Sequence, residues 1–233
     1  VFTNTKHNTM KQLSRSKSRR DFIGKLAAGT AVGLTSLTAI RNPLGAAPLN
    51  GRDAESWFKN AKGEHRIVYD ASEPHEGLPF IWSWVYYTSN NETGVSDDNM
   101  TAMVVLRHNA IPFALEDGLW KKYKLGEVFK VTDNNTRKPA LRNPYYEPVD
   151  GDFPVPAIEG IRQMQARGAM FCVCNMALKV YSGMVAKSSG MNPEEVYNDW
   201  KGGILKDIEI VPSGVWALGR AQEHGFAYCY AGG

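Results

Sequence analysis

From residue 65 onward, short apolar runs alternate with longer amphipathic stretches. "HRIVYDAS" (65–72) reads as a buried strand ending in polar residues. "MTAMVVLRHNA" (100–110) is a continuous apolar run, the pattern of a strand covered on both faces. "AMFCVC", "DIEIVPSG" and "FAYCY" supply three more strands. Between them the spacing predicts helices over "GLPFIWSWVYYTSNN", "IPFALEDGLWKKYKLG", "AIEGIRQMQARG", "NMALKVYSGMVAKSSG", "NPEEVYNDW" and "VWALGRAQEHG". Their punctuation agrees: Pro112 falls in a first turn, Asn192 and Pro193 open a helix, and Gly126, Gly168, Gly190 and Gly225 close four others. Short connections between alternating strands and helices predict a mainly parallel five-stranded sheet with helices on both faces, a three-layer α/β/α sandwich.

Residues 127–156 break this rhythm. Five prolines and many turn formers make the stretch too long for an ordinary connection, so it is expected to be a functional or interface loop, with a short strand at "VFKVT".

The first 47 residues have a different character. Arg19 and Arg20, followed by Asp21, Phe22 and Ile23, precede an uncharged run, Arg41 and "NPLGAA", the order of an export signal of twin-arginine type. Cleavage is expected after Ala46 or Ala47, and a retained N-terminal anchor is the alternative. The expected layout is therefore a signal region (1–47), a linker (48–64) and one α/β domain (65–233), in the periplasm and with no stable membrane span after processing. The net charge of +3 owes much to the leader's Lys and Arg residues. The chain beyond the leader is near neutral or slightly acidic, carries no basic run and gives no reason to expect nucleic acid.

Three cysteines is an odd number for an exported chain. "AMFCVCNMAL" places Met170, Cys172, Cys174 and Met176 at every second position. On a strand, Cα atoms two residues apart are roughly 6.5 to 7 Å apart, too far for an easy disulfide. Soft sulfur ligands would suit copper, but Met176 is expected in the next helical turn, so no metal site and no cofactor are assigned.

In parallel sheets the site forms beyond the carboxyl ends of the strands. That rule selects Asp70, Ser72 and Glu73; Arg107, His108 and Asn109; Cys174 and Asn175; and Pro212, Ser213 and Gly214. Cys174 stands where a strand hands over to a helix, a setting that favours an anionic, nucleophilic sulfur. His108 is the candidate base beside it. Asp70, Asn175, Ser213 and Gly214 are candidate ligand-binding residues. Cys172 and Cys229 are expected to be structural.

"GAMFCVCNMALK" and "IEIVPSGVWALGRAQEHGFAYCY", with "VVLRHNAIPFAL", resemble the DsrE/DsrF-like superfamily of sulfur-relay-type α/β proteins. The resemblance covers roughly residues 65 to 231. It implies a flavodoxin-like sandwich assembled as a homotrimer or homohexamer, with a persulfide-carrying cysteine at the position of Cys174. A sulfur donor or acceptor, protein or small molecule, would be its partner. Any enzymatic activity is expected to go no further than sulfur transfer. The alternatives are a non-catalytic oligomeric small-molecule-binding protein and, third, a copper-binding protein.

Overall fold

The computed structural model describes residues 51–232, so the expected signal region and its cleavage point lie outside the described residues. Five strands form one all-parallel sheet: β1 (His65–Ala71), β2 (Met100–Leu106), β3 (Met170–Cys174), β4 (Ile208–Val211) and β5 (Ala227–Tyr230). The helices are α1 (Gly51–Trp57), α2 (Leu78–Glu92), α3 (Asp117–Tyr123), α4 (Leu125–Val128), α5 (Ile161–Arg167), α6 (Asn175–Ser189), α7 (Pro193–Gly202) and α8 (Gly214–Glu223).

The strand order β4-β3-β2-β1-β5 decides which face each helix covers. Steps from β1 to β4 all run in one direction, and right-handed crossovers place their helices on one face, called the front. The step from β4 to β5 runs back across the whole sheet, so α8 must lie on the opposite face. The buried side chains divide accordingly. Phe80 and Tyr87 of α2, Leu178 and Val185 of α6 and Trp200 of α7 pack in front, on Val104 and Phe171. Ala217, Leu218 and Ala221 of α8 pack behind, on Val68, Met103, Val105 and Cys172. The architecture is a flavodoxin-like α/β sandwich, as the alternation predicts.

One helix cannot cover the back of five strands. The remainder is supplied by residues 51–60, which sequence patterning assigns to a linker. Here they form α1 and a 3-10 turn (Phe58–Asn60), and Phe58 is 1% exposed in the rear core. Its ring stacks on His224 at 5.0 Å and meets Trp216 edge-on. The segment is too short and polar to announce itself by periodicity, and its apolar partners lie far along the chain.

Two other expectations change. The helix expected over 111–126 is a 3-10 stretch (His108–Ala114), then α3, then α4, split by Lys124 in the left-handed region at φ 50°. Gly126 does not end a helix. It sits inside α4 because a Cβ there would lie 2.3 Å from the backbone of Ala140, where the insertion crosses over. The strand expected at "VFKVT" is reduced to a single antiparallel bridge between Thr132 and Pro139.

The long insertion is nevertheless well anchored. Asp133 accepts the backbone N–H groups of Asn135 (3.0 Å) and Thr136 (2.8 Å). Arg142 donates to the buried carboxylate of Asp152 at 2.6 Å, and Asn143 donates to the carbonyl of Phe113 at 2.8 Å. The Thr136 amide, chiefly, holds the Asp133 carboxyl below its ordinary value.

Two outcomes are expected. Phe58→Ala should lower the unfolding free energy by about 3 kcal/mol, measured by urea denaturation; a true linker would show no change. The stabilisation from Asp133 is fully present above its ordinary value of 3.8 and is lost as pH falls through the depressed folded value. Asp133→Asn should therefore flatten the acid limb of stability against pH.

Candidate functional site

Adjacent strands whose outgoing chains leave toward opposite faces open a crevice between them. Here β3 runs into α6 in front, whereas β4, its neighbour, runs into α8 behind. The crevice thus lies between the carboxyl ends of β3 and β4, flanked by the N-termini of α6 and α8. Cys174 caps the first helix and Ser213 the second. The Cys174 sulfur accepts the N–H of Ala177 at 3.3 Å, and the Ser213 hydroxyl oxygen accepts the N–H of Trp216 at 3.2 Å.

Register sets Arg107 on the strand end next to Cys174. Val105 on β2 is paired with Cys172 on β3. Two residues further on, Arg107 and Cys174 project from the same rear face, since Arg107 remains extended (φ −135°, ψ 168°). Neighbouring strands are about 4.8 Å apart, and the guanidinium itself turns toward β1, away from β3. Asp70, the rear-facing partner of Val105 on β1, grips Arg107 with both oxygens (2.6 and 2.9 Å). Tyr228 on β5 donates to the same carboxylate at 2.9 Å. The Asp70 hydrogen bonds, above all, hold the guanidinium above its ordinary value, so it is permanently charged.

Gly214 makes this approach possible. A Cβ at that position would lie 2.6 Å from the Cβ of Arg107, so α8 starts directly on the arginine side chain. Asp70, Arg107, Cys174, Ser213 and Gly214 thus meet around one edge of the sheet.

His108 and Asn175 do not join that cluster. His108 is half-exposed, pairs with Glu73 at 2.9 Å and lies edge-on to Tyr181. Among the described residues no hydrogen bond links it to Cys174. Asn175 is buried and accepts the hydroxyl of Tyr197 at 2.6 Å, tying α6 to α7. Arg107 is legible as a strand-end residue, but its pairing with Asp70 requires strand order. Tyr228 carries no signal at all, because nothing in the sequence places β5 beside β1.

The sulfur row also resolves. Met170, Cys172 and Cys174 share the rear face, whereas Met176 lies in the first turn of α6 and is 48% exposed. Burial pushes the Cys172 thiol well above its ordinary value. Cys229 is half-buried in β5. All three cysteines are free, and among the described residues no group of three His, Cys, Asp or Glu side chains is placed to hold a metal ion.

Fold and site together define an α/β sandwich with one cysteine at its topological switch point. No protein-family model matches the chain, and no curated protein matches it. Among solved structures, the chain is similar to a protein of unknown function from Methanobacterium thermoautotrophicum, at 17% identity and a TM-score of 0.37. That alignment covers 71% of this chain and 98% of the other.

Asp70→Asn should destabilise the protein by about 2 kcal/mol, because it leaves Arg107 without its counter-charge. Tyr228→Phe, which removes one hydrogen bond, should cost about 1 kcal/mol. Urea denaturation of both variants checks the order.

Proposed function

We propose that the protein is a DsrE-like sulfur carrier in which Cys174 accepts a sulfane sulfur and holds it as a persulfide. The observation that carries this reading is the position of Cys174 at the switch point, with its sulfur accepting the Ala177 amide and Arg107 on the adjoining strand end. The amide is placed to accompany negative charge on sulfur, Arg107 adds a positive field from the next strand end, and a persulfide places that charge one atom further out.

With thiosulfate as donor the step balances simply. The Cys174 thiolate attacks the outer sulfur, a new S–S bond forms, the bond to the sulfonate breaks, and sulfite leaves with the electron pair. A polysulfide reacts in the same way and leaves one sulfur shorter. The Ser213 hydroxyl and Arg107 lie at the edge where the leaving anion would depart. Cys174 is 6% exposed, so the reaction calls for a small donor or a slight opening between the first turns of α6 and α8.

The carrier would act in the periplasm after twin-arginine export and as a homo-oligomer. Support for assembly comes from Met176, Val180 and Met184, which form an exposed apolar stripe along α6 beginning beside the thiol.

Intact-mass analysis after exposure to polysulfide or thiosulfate tests the reading. The wild type should gain the mass of one sulfur atom, removable by a thiol reductant. Cys172→Ser and Cys229→Ser should retain the adduct and Cys174→Ser should lose it. A wild type that stays unmodified, or a Cys174→Ser variant that still takes up sulfur, sinks the proposal.

A further inference from the structure

The insertion between α4 and α5 encloses a cavity of about 810 Å³ against the turn leading into α2, a volume suited to a small organic ligand. It shares no lining residue with the Cys174 cluster. Leu78, Ile81 and Val131 give it an apolar wall. Four ionisable acid or base side chains line it: Glu76, Lys130, Arg137 and Asp152. The Asp152 carboxylate is engaged by Arg142 (2.6 Å) and by the Val149 amide (2.7 Å). The side chains of Lys130 and Arg137 make no hydrogen bond or ion pair with another described residue, and neither does that of Glu76. Among the lining side chains that make no ion pair, two cations face one carboxylate.

A buried aromatic ring supplies the second observation. Tyr145 lines the cavity and is 5% exposed, its ring packed on Phe80, Phe113 and Phe153 at 5.1 Å each. The far end of the ring rests on Gly77, between Glu76 and Leu78: a Cβ on Gly77 would lie 2.8 Å from the Tyr145 Cζ. Its hydroxyl makes no hydrogen bond with a described residue, yet it is not sealed from solvent, since the buried side-chain polar atoms without a partner among the described residues are those of Ser83, Tyr87 and Trp200. Burial of the ring keeps the phenol protonated, so it is available as a donor. The backbone at the rim is strained as well. Glu76, Lys130 and Arg137 all adopt left-handed conformations that non-glycine residues rarely hold, at φ 52°, 55° and 58°.

We propose that this cavity binds a small monoanionic organic acid, its acid group held by Lys130 and Arg137, its apolar body on Leu78 and Ile81, and the Tyr145 hydroxyl donating to it. Net charge favours a monoanion, since Glu76 repels a second negative group.

Ligand-observed NMR titration of the full chain with phenylacetate and its neutral analogue phenylacetamide tests this. Phenylacetate should bind about tenfold more tightly than the amide. Arg137→Asn and Lys130→Asn remove the charges with a residue that tolerates the left-handed region. Each should weaken phenylacetate about fivefold and leave the amide unchanged. Tyr145→Phe should weaken it about threefold without loss of fold. Cys174→Ser should bind phenylacetate like the wild type, so this result stands apart from the fate of the sulfur-carrier reading. Absence of saturable phenylacetate binding, equal binding of acid and amide, or indifference to both charge removals overturns the proposal.

Discussion

The chain's single long return, from β4 at one edge to β5 beyond β1 at the other, is the constraint on which the rest depends. A right-handed crossover can make that step only behind the sheet. It sends α8 alone to the rear while α2 to α7 accumulate in front. This has three consequences. The rear face needs additional cover, which Phe58 and its neighbours provide. The crevice between β3 and β4 exists because their outgoing helices part there. And α8 must start directly over the end of β2, which only a residue without a side chain at position 214 permits.

Within that frame the ion pair between Asp70 and Arg107 acts more as a positioning device than as a source of stability. Its side chains are 5% and 29% exposed, so desolvation offsets much of the Coulombic gain. What the pair fixes is direction. Bidentate contact with Asp70, supported by Tyr228, holds the guanidinium across the strand ends toward β1, while the stem of Arg107 stands beside the strand that carries Cys174. The same comparison separates the three cysteines. Cys172 has the same face but sits one step deeper, where burial opposes charge. Cys229 belongs to the exposed edge strand, away from any helix start. Only Cys174 combines a helix N-terminus with a neighbouring fixed cation.

The elements legible in the sequence are those with a strong local signal. The unbroken apolar run of β2, the glycines after α5, α6 and α8, and the Asn192-Pro193 start of α7 all mark their elements by local chemistry. In the structure Asn192 accepts the N–H groups of Glu194 and Glu195. Cys174 is legible too, because strand ends and helix starts are sequence features. The features that escape the sequence depend on distant contacts. His108 and Arg107 are neighbours in sequence, but strand pleating sends Arg107 to the rear, while a left-handed turn at His108 (φ 50°) takes the imidazole to Glu73. Residues 51–60 read as a linker because the rings that bury Phe58 are more than 150 positions away.

The insertion shows the same principle from the opposite direction. Its prolines and turn formers announce a loop, and a loop of that length would be entropically costly if it were free. It is instead fastened at both ends and in the middle: Ala140 against α4, Asn143 on Phe113 and Asp117, and Asp152 on Arg142 and Val149. A segment so thoroughly tied down forms a fixed wall. Lys130 and Arg137 line the cavity that this wall borders, and neither makes an ion pair with another described residue. The Cys174 cluster lies behind the sheet at β3 and β4, and the insertion's cavity lies in front of it at the start of α2. Because they share no residue, each can be removed by substitution without disturbing the other.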